Sequence, residues 1–144
     1  MGKSSFKGII WLTGNTGAGK TSLAYILKER LNAVVLDGDE LRASISIDLG
    51  LSKNDRDTHN MRVARLAKVL HSQGFNVVVS VIAPFQSTRD KITELISPFW
   101  VYIKGGKVGK DVPYEIPKNP DLIVDPTKET VFESLDKVIE KLGV

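Results

Sequence analysis

Five short apolar runs punctuate the chain: GIIWLT, AVVL, FNVVVSV, FWVYI and DLIV. Each is rich in β-branched or aromatic residues and bounded by Gly, Pro, Asn or Asp, the pattern of strands buried on both faces. The stretches between them repeat at three to four residues instead. The clearest predicts a helix from about Ser52 to Gln73, with Met61, Leu66, Val69 and Leu70 toward the core, Ser52 and Asp55 as a capping pair and Gly74 as the stop. A last helix is expected in KETVFESLDKVIEKLGV, where Val131, Leu135, Val138 and Leu142 share one face. Strand and helix in alternation predict an α/β fold, a parallel sheet of about five strands with helices on both faces. Ligands of such sheets collect beyond the carboxyl ends of the strands. No repeat, low-complexity block or linker interrupts the pattern, so residues 1–144 read as one domain.

Composition narrows the chemistry mainly by exclusion. A net charge of +3, from 20 basic and 17 acidic side chains, is too small a surplus to argue for nucleic acid or an anionic membrane as partner. Any anion binding should be local. There is no cysteine, hence no disulfide and no thiolate metal site. The opening MGKSSFKGIIWLTG has too short an apolar run for a signal or a membrane span, and its Met1-Gly2 reads as an ordinary start rather than a myristoylation signal. A cytoplasmic protein is the expectation.

Between the first strand and the helix after it stand Gly14, Asn15, Thr16, Gly17, Ala18, Gly19, Lys20 and Thr21, followed by Ser22. They fit G-x-x-x-x-G-K-S/T at every fixed position, in the strand-to-helix context that this phosphate-binding loop needs. Glycines let successive amides converge on phosphate oxygens, and the helix start adds partial positive charge. Lys20 can reach the β- and γ-phosphates of ATP, and the Thr21 hydroxyl can take a place on Mg²⁺. The expected fold is thereby a three-layer P-loop NTPase-type fold. A dinucleotide loop would want G-x-G-x-x-G, which the segment lacks.

The next strand ends in VVLDGDELR, placing Asp37 and Asp39 near the loop. A kinase needs carboxylates there, to orient and deprotonate an acceptor hydroxyl and to help hold the metal. The plainer alternative is a turn in which Asp39 caps the following helix.

Here the chain resembles the adenylylsulfate kinases (APS kinases), which transfer the γ-phosphate of ATP to the 3′-hydroxyl of adenosine 5′-phosphosulfate (APS) in sulfate assimilation. GNTGAGKTS is close to the family's G-L-S-G-A-G-K-T-T, and the likeness continues in order through LDGDELR, DLGLSKNDR, RVARLAK, VVVSVIAPFQSTRD, VPYEIP and PDLIVD. It implies Asp39 as the base or hydroxyl-orienting acid, with Lys20 and Asp37 as its catalytic partners, and Thr21 and Asp37 at the metal. It implies Arg42 and Arg56 as contacts for the acceptor's anionic groups, Arg62 and Arg89 as lesser candidates, and His59, Asn60, Ile82, Ala83 and Pro84 along the acceptor site. Planar guanidinium forks suit phosphate and sulfate oxygens. Members are often dimers, so a homodimer is implied too, although nothing in the chain's own pattern shows an interface.

The chain also departs from that family. Where members place two phenylalanines associated with sandwiching the acceptor's adenine, it has Leu51 and Lys107. A stacked base gains about 1–3 kcal/mol from an aromatic face, so their loss should weaken or redirect base choice. The family's asparagine is replaced by His59, which either bonds the acceptor or is a plain surface histidine. The family's basic lid shrinks to KGGKVGKDV, in which Lys104, Lys107 and Lys110 make either a short substitute lid or a solvated loop. The reading is an MgATP-dependent kinase with a small nucleotide acceptor, APS first. Alternatives are a kinase for another acceptor, such as cytidine diphosphoramidate in polysaccharide modification, and a nucleotide-binding module with little turnover. A guanine-nucleotide switch is disfavoured, since PKNPD reverses the order that N-K-x-D requires.

Overall fold

The structure is a computed structural model that describes residues 6–107, 109 and 111–144. Met1, Gly2 and Lys110 lie outside them. In chain order the elements are β1 (Ile9–Thr13), α1 (Lys20–Leu31), β2 (Ala33–Asp37), α2 (Gly38–Arg42), α3 (Lys53–Ser72), β3 (Asn76–Ser80), α4 (Gln86–Ile96), β4 (Phe99–Ile103), β5 (Leu122–Val124) and α5 (Val131–Leu142). The strands form one sheet ordered β2-β3-β1-β4-β5, every neighbouring pair parallel. This is the expected three-layer α/β fold.

The central position of β1 explains its unbroken apolar run. All five of its residues are buried, because neighbours flank it in the sheet and helices cover both faces. On one face Trp11, Val77, Val79 and Trp100 pack with α3 and α4; on the other Ile10, Leu12, Val78 and Val101 pack with α1 and α5. Burying each such side chain is worth about 1.5–3 kcal/mol. The two tryptophans meet at 5.3 Å between ring centroids. Their indole N–H groups are satisfied, Trp11 donating to the Val81 carbonyl at 3.0 Å and Trp100 to Thr93 Oγ1 at 2.9 Å.

The buried face of α3 differs from the expected one. Val63, Ala64 and Ala67 are fully buried, Met61, Leu66 and Leu70 flank them, and Val69 is 51% exposed. Alanines let the helix lie close to the sheet, so the stripe at closest approach is built of small side chains that a count of large apolar residues passes over. Ser52 does cap α3, its Oγ accepting from the Asp55 amide at 3.1 Å, but Asp55 does not return the bond; its Oδ2 accepts from Gly50 N at 2.8 Å. The reciprocal pair is at α5, where Thr130 and Glu133 form a capping box.

No helix among the described residues is long and apolar enough to cross a membrane.

Candidate active site

Every strand of the sheet points its carboxyl end at the same edge, and the predicted site residues gather there. The phosphate loop follows β1. Gly17 and Gly19 adopt φ of 82° and 105°, which a side chain resists, and a Cβ on Gly14 would sit 2.6 Å from the Ile103 carbonyl oxygen. Gly19 then starts α1 without any side-chain cap or first-turn acid, leaving the helix's first amides and its positive end to a ligand. Lys20 Nζ donates to the carbonyls of Gly14 at 2.8 Å and Asn15 at 3.1 Å. Burial lowers its pKa to about 8, against the pull of Asp39 and Asp37 in the opposite direction. The ammonium is held in a site too dry for it, a deficit that an incoming polyphosphate would relieve.

Lys20, Thr21, Asp37 and Asp39 line one cleft of about 510 Å³. Asp37 ends β2 and caps α2, its Oδ2 accepting from Glu40 N at 3.2 Å; Asp39 lies within the first turn. The cap is therefore Asp37, where sequence reasoning had considered Asp39. Strand alternation fixes the side on which Asp37 projects. Leu36 packs beneath α3 and Val35 toward α1, so Asp37 belongs to the α1 side, beside the phosphate loop.

The opposite wall comes from α2, the start of α3 and the turn after β3. Arg42, Leu51, Arg56, His59 and Asn60 line it, as do Ile82, Ala83 and Pro84. Arg42 Nη1 donates to the Gly50 carbonyl at 3.1 Å and Arg56 Nε to that of Leu51 at 2.7 Å, which aims both guanidinium groups from anchored stems. Burial, and then the like charge of Arg56, lower the pKa of Arg42. Two neighbouring cations in one cleft favour an anion between them.

His59 is not a surface residue. It is 2% exposed, its Nδ1 lies 2.7 Å from Ser46 Oγ, and its Nε2 has no hydrogen-bond partner among the described residues. Burial, then the charges of Arg42 and Arg62, push its pKa down to about 4, so the ring is neutral near pH 7. Because the folded pKa lies below that of the unfolded chain, the unfolded state binds more protons between pH 6.5 and 4. Stability should therefore fall as pH drops through that window, by roughly 3 kcal/mol from this group. Urea unfolding of the wild type and His59→Asn at several pH values checks this. The difference between the two proteins should shrink steadily on acidification, and a constant difference would mean His59 is not buried neutral.

Arg62 and Arg89 are placed otherwise than an acceptor contact requires. Arg62 makes a two-pronged ion pair with Asp48, at 2.7 and 3.0 Å, and does not line the cleft. Arg89, 2% exposed, donates to the carbonyls of Ala83, at 2.6 Å, and Glu115, and lies over the Tyr114 ring at 5.4 Å. It braces the cleft wall from behind, at the residue whose φ of 49° is left-handed without being glycine.

The short loop after β4 is neither detached nor merely solvated. Lys107 N donates to the Thr16 carbonyl at 2.8 Å, and Asn15 Nδ2 donates to the carbonyls of Lys107 and Val112. Gly106 approaches so closely that a Cβ there would lie 2.9 Å from the Asn15 and Thr16 oxygens. Asn15 thus spends its side chain on the loop, and Asp111 and Val112 are brought to the cleft. Thr16, Gly17, Gly19 and Ser22 also line the cleft, whereas Gly14 and Ala18 shape the phosphate loop from beneath, Ala18 being 5% exposed in the core. Lys107 sits on the phosphate loop and not on the wall that carries Arg42, Leu51 and Arg56.

Sequence reasoning passed over Thr13, Ser46, Ser80 and Asp111. Thr13 Oγ1 donates to the Ile82 carbonyl at 2.6 Å and lies 2.8 Å from the Tyr114 hydroxyl, tying the turn after β3 to β1. Thr13 and Ser80 carried a readable signal: each is a hydroxyl closing an otherwise apolar buried strand at the end where ligands bind.

Fold and cleft together define a P-loop phosphotransferase that acts on a hydroxyl group. The adenylylsulphate kinase family model matches residues 7–107. The adenylyl-sulfate kinase of Rippkaea orientalis is 34% identical, over 92% of this chain and 90% of that protein. A probable bifunctional SAT/APS kinase of Sorangium cellulosum is 36% identical over 93% of this chain, which spans only 28% of that longer protein. A Mycobacterium tuberculosis APS kinase solved with AMPPNP and APS superposes with a TM-score of 0.85 at 28% identity, covering 96% of this chain and 98% of its own. The chain belongs to the adenylylsulfate kinase family, whose members use ATP together with a divalent metal.

Proposed function

We propose that the protein transfers the γ-phosphate of MgATP to the 3′-hydroxyl of adenosine 5′-phosphosulfate. The observation that supports this most directly is the single cleft lined by Lys20, Thr21 and Asp39 together with Arg42 and Arg56. In this reading the loop amides and Lys20 bind the β- and γ-phosphates, Arg42 and Arg56 hold the acceptor's phosphosulfate, and Asp39 takes the proton from the 3′-hydroxyl as its oxygen bonds to phosphorus and ADP leaves. Thr21 and Asp37 offer hard oxygens, which suit Mg²⁺. No group of three His, Cys, Asp or Glu side chains among the described residues could cage a metal, so the cation would be shared with the nucleotide. When bound, Mg²⁺ supplies positive charge against that developing on the transferred group. Assembly as a homodimer belongs to the same proposal, on family habit alone.

Leu51 replaces an aromatic ring on the acceptor wall and is 66% exposed. Weak hold on adenine is the expected consequence, at about 1–3 kcal/mol per missing stack. γ-Labelled ATP offered with APS or with cytidine diphosphate derivatives tests the assignment. Label should move to APS, with ADP released only when acceptor is present. Transfer to a cytidine acceptor alone would replace the substrate, acceptor-independent ADP release would make the protein a hydrolase, and silence with every acceptor would leave a binding module.

A further inference from the structure

Ser80, the last residue of β3, is 3% exposed and lines the cleft, yet its Oγ has no hydrogen-bond partner among the described residues. A buried hydroxyl left unpaired costs about 1–3 kcal/mol. Packing gives no reason for it, since the three residues before it are valines filling the same strand. The sheet fixes where it points. Val77 and Val79 pack beneath α3 and Val78 toward α1, so Ser80 projects to the α1 side. Ser80 is also the register partner of Asp37, which projects to the same side. α1 opens there with Lys20 and Thr21, both in the same cleft.

The geometry points to Ser80 as a positioning residue for the divalent cation that accompanies ATP: its hydroxyl is a third oxygen, with Thr21 and Asp37, steadying that cation. The division of labour follows from charge. The Asp37 carboxylate repels phosphate oxygens, so the space it shares with two hydroxyls suits a cation, while Lys20 and the loop amides suit the phosphates. The inference rests on reading the cleft as a metal-nucleotide site.

The test is Ser80→Ala, measured by calorimetric titration with AMPPNP in Mg²⁺ and in EDTA, and by thermal melting without nucleotide. Removing the orphaned hydroxyl should leave the melting temperature unchanged or raised. In Mg²⁺ the dissociation constant should rise about 2- to 10-fold, the worth of one net hydrogen bond, with a matching rise in the Mg²⁺ concentration at half-effect. In EDTA the two proteins should bind alike. Equal weakening in Mg²⁺ and EDTA, a lowered melting temperature, or no change in either titration overturns the assignment, since each makes the hydroxyl structural or idle. A wild type that binds no better with Mg²⁺ than with EDTA removes the kinase reading itself, and the proposal with it. A Mg²⁺-dependent wild type matched by its variant removes the role of Ser80 alone.

Discussion

Asp39→Asn is expected to lower kcat for acceptor-dependent ADP release by about 10²- to 10⁴-fold, the usual contribution of a positioned general base. Asparagine keeps the shape and a hydrogen-bonding oxygen but cannot take up the proton of an alcohol. The fold should be spared. The Asp39 side chain makes no hydrogen bond among the described residues, whereas the Asp37 carboxylate caps α2 through Glu40 N at 3.2 Å. Loss of a charge in the first turn of α2 should cost about 0.3–1 kcal/mol of stability. Affinity for AMPPNP should stay near that of the wild type, because the phosphate cradle is built by the loop after β1. Steady-state rates with acceptor, together with calorimetric binding of AMPPNP, read both quantities. An unchanged kcat would take the role of base away from Asp39. Asp37→Ala is the instructive companion, since losing the cap oxygen that accepts from Glu40 N predicts a stability loss of about 0.5–2 kcal/mol, larger than that of Asp39→Asn.

Lys20→Met should reduce kcat by about 10²- to 10³-fold, as removal of one preorganised donor to developing charge does elsewhere. It should also weaken nucleotide binding, because a charge-assisted hydrogen bond of about 1.5–3 kcal/mol is lost. A second signature comes from the depressed pKa of about 8. Nucleotide phosphates favour the ammonium and raise that pKa, so wild-type binding of AMPPNP near pH 8.5 should take protons up from the buffer. Calorimetry in two buffers of different ionisation enthalpy measures the uptake. Lys20→Met should abolish it, and equal uptake in both proteins would place the titrating group elsewhere.

Much of the lining of the cleft could be read from the chain because the motifs that supply it are local. The phosphate loop needs a contiguous run, and Gly17 and Gly19 occupy positions where the backbone itself demands glycine. Asp37 follows from the end of an apolar strand, and Arg42 and Arg56 from motifs in register with a known family. The short loop was harder to place. Its hold on the phosphate loop passes through the Asn15 side chain to carbonyls at Lys107 and Val112, 92 and 97 residues away, and backbone acceptors leave no mark on residue types. Arg89 misled for a similar reason: an arginine beside a site motif suggests a ligand contact, and only packing shows its donors turned onto the carbonyls of Ala83 and Glu115.

The amino-acid sequence by itself determined the layered α/β architecture and the phosphate loop, and put Asp37 and Asp39 at the end of the second strand, because periodicity, glycine and charge act over a few residues. Tertiary structure decided which of the candidates share a cleft, that His59 is buried and neutral, that the stripe of α3 nearest the sheet is Val63, Ala64 and Ala67, and that the Ser80 hydroxyl beside Asp37 has no partner among the described residues. Burial and pairing depend on what distant segments bring alongside, a property of the packed molecule rather than of any stretch of chain.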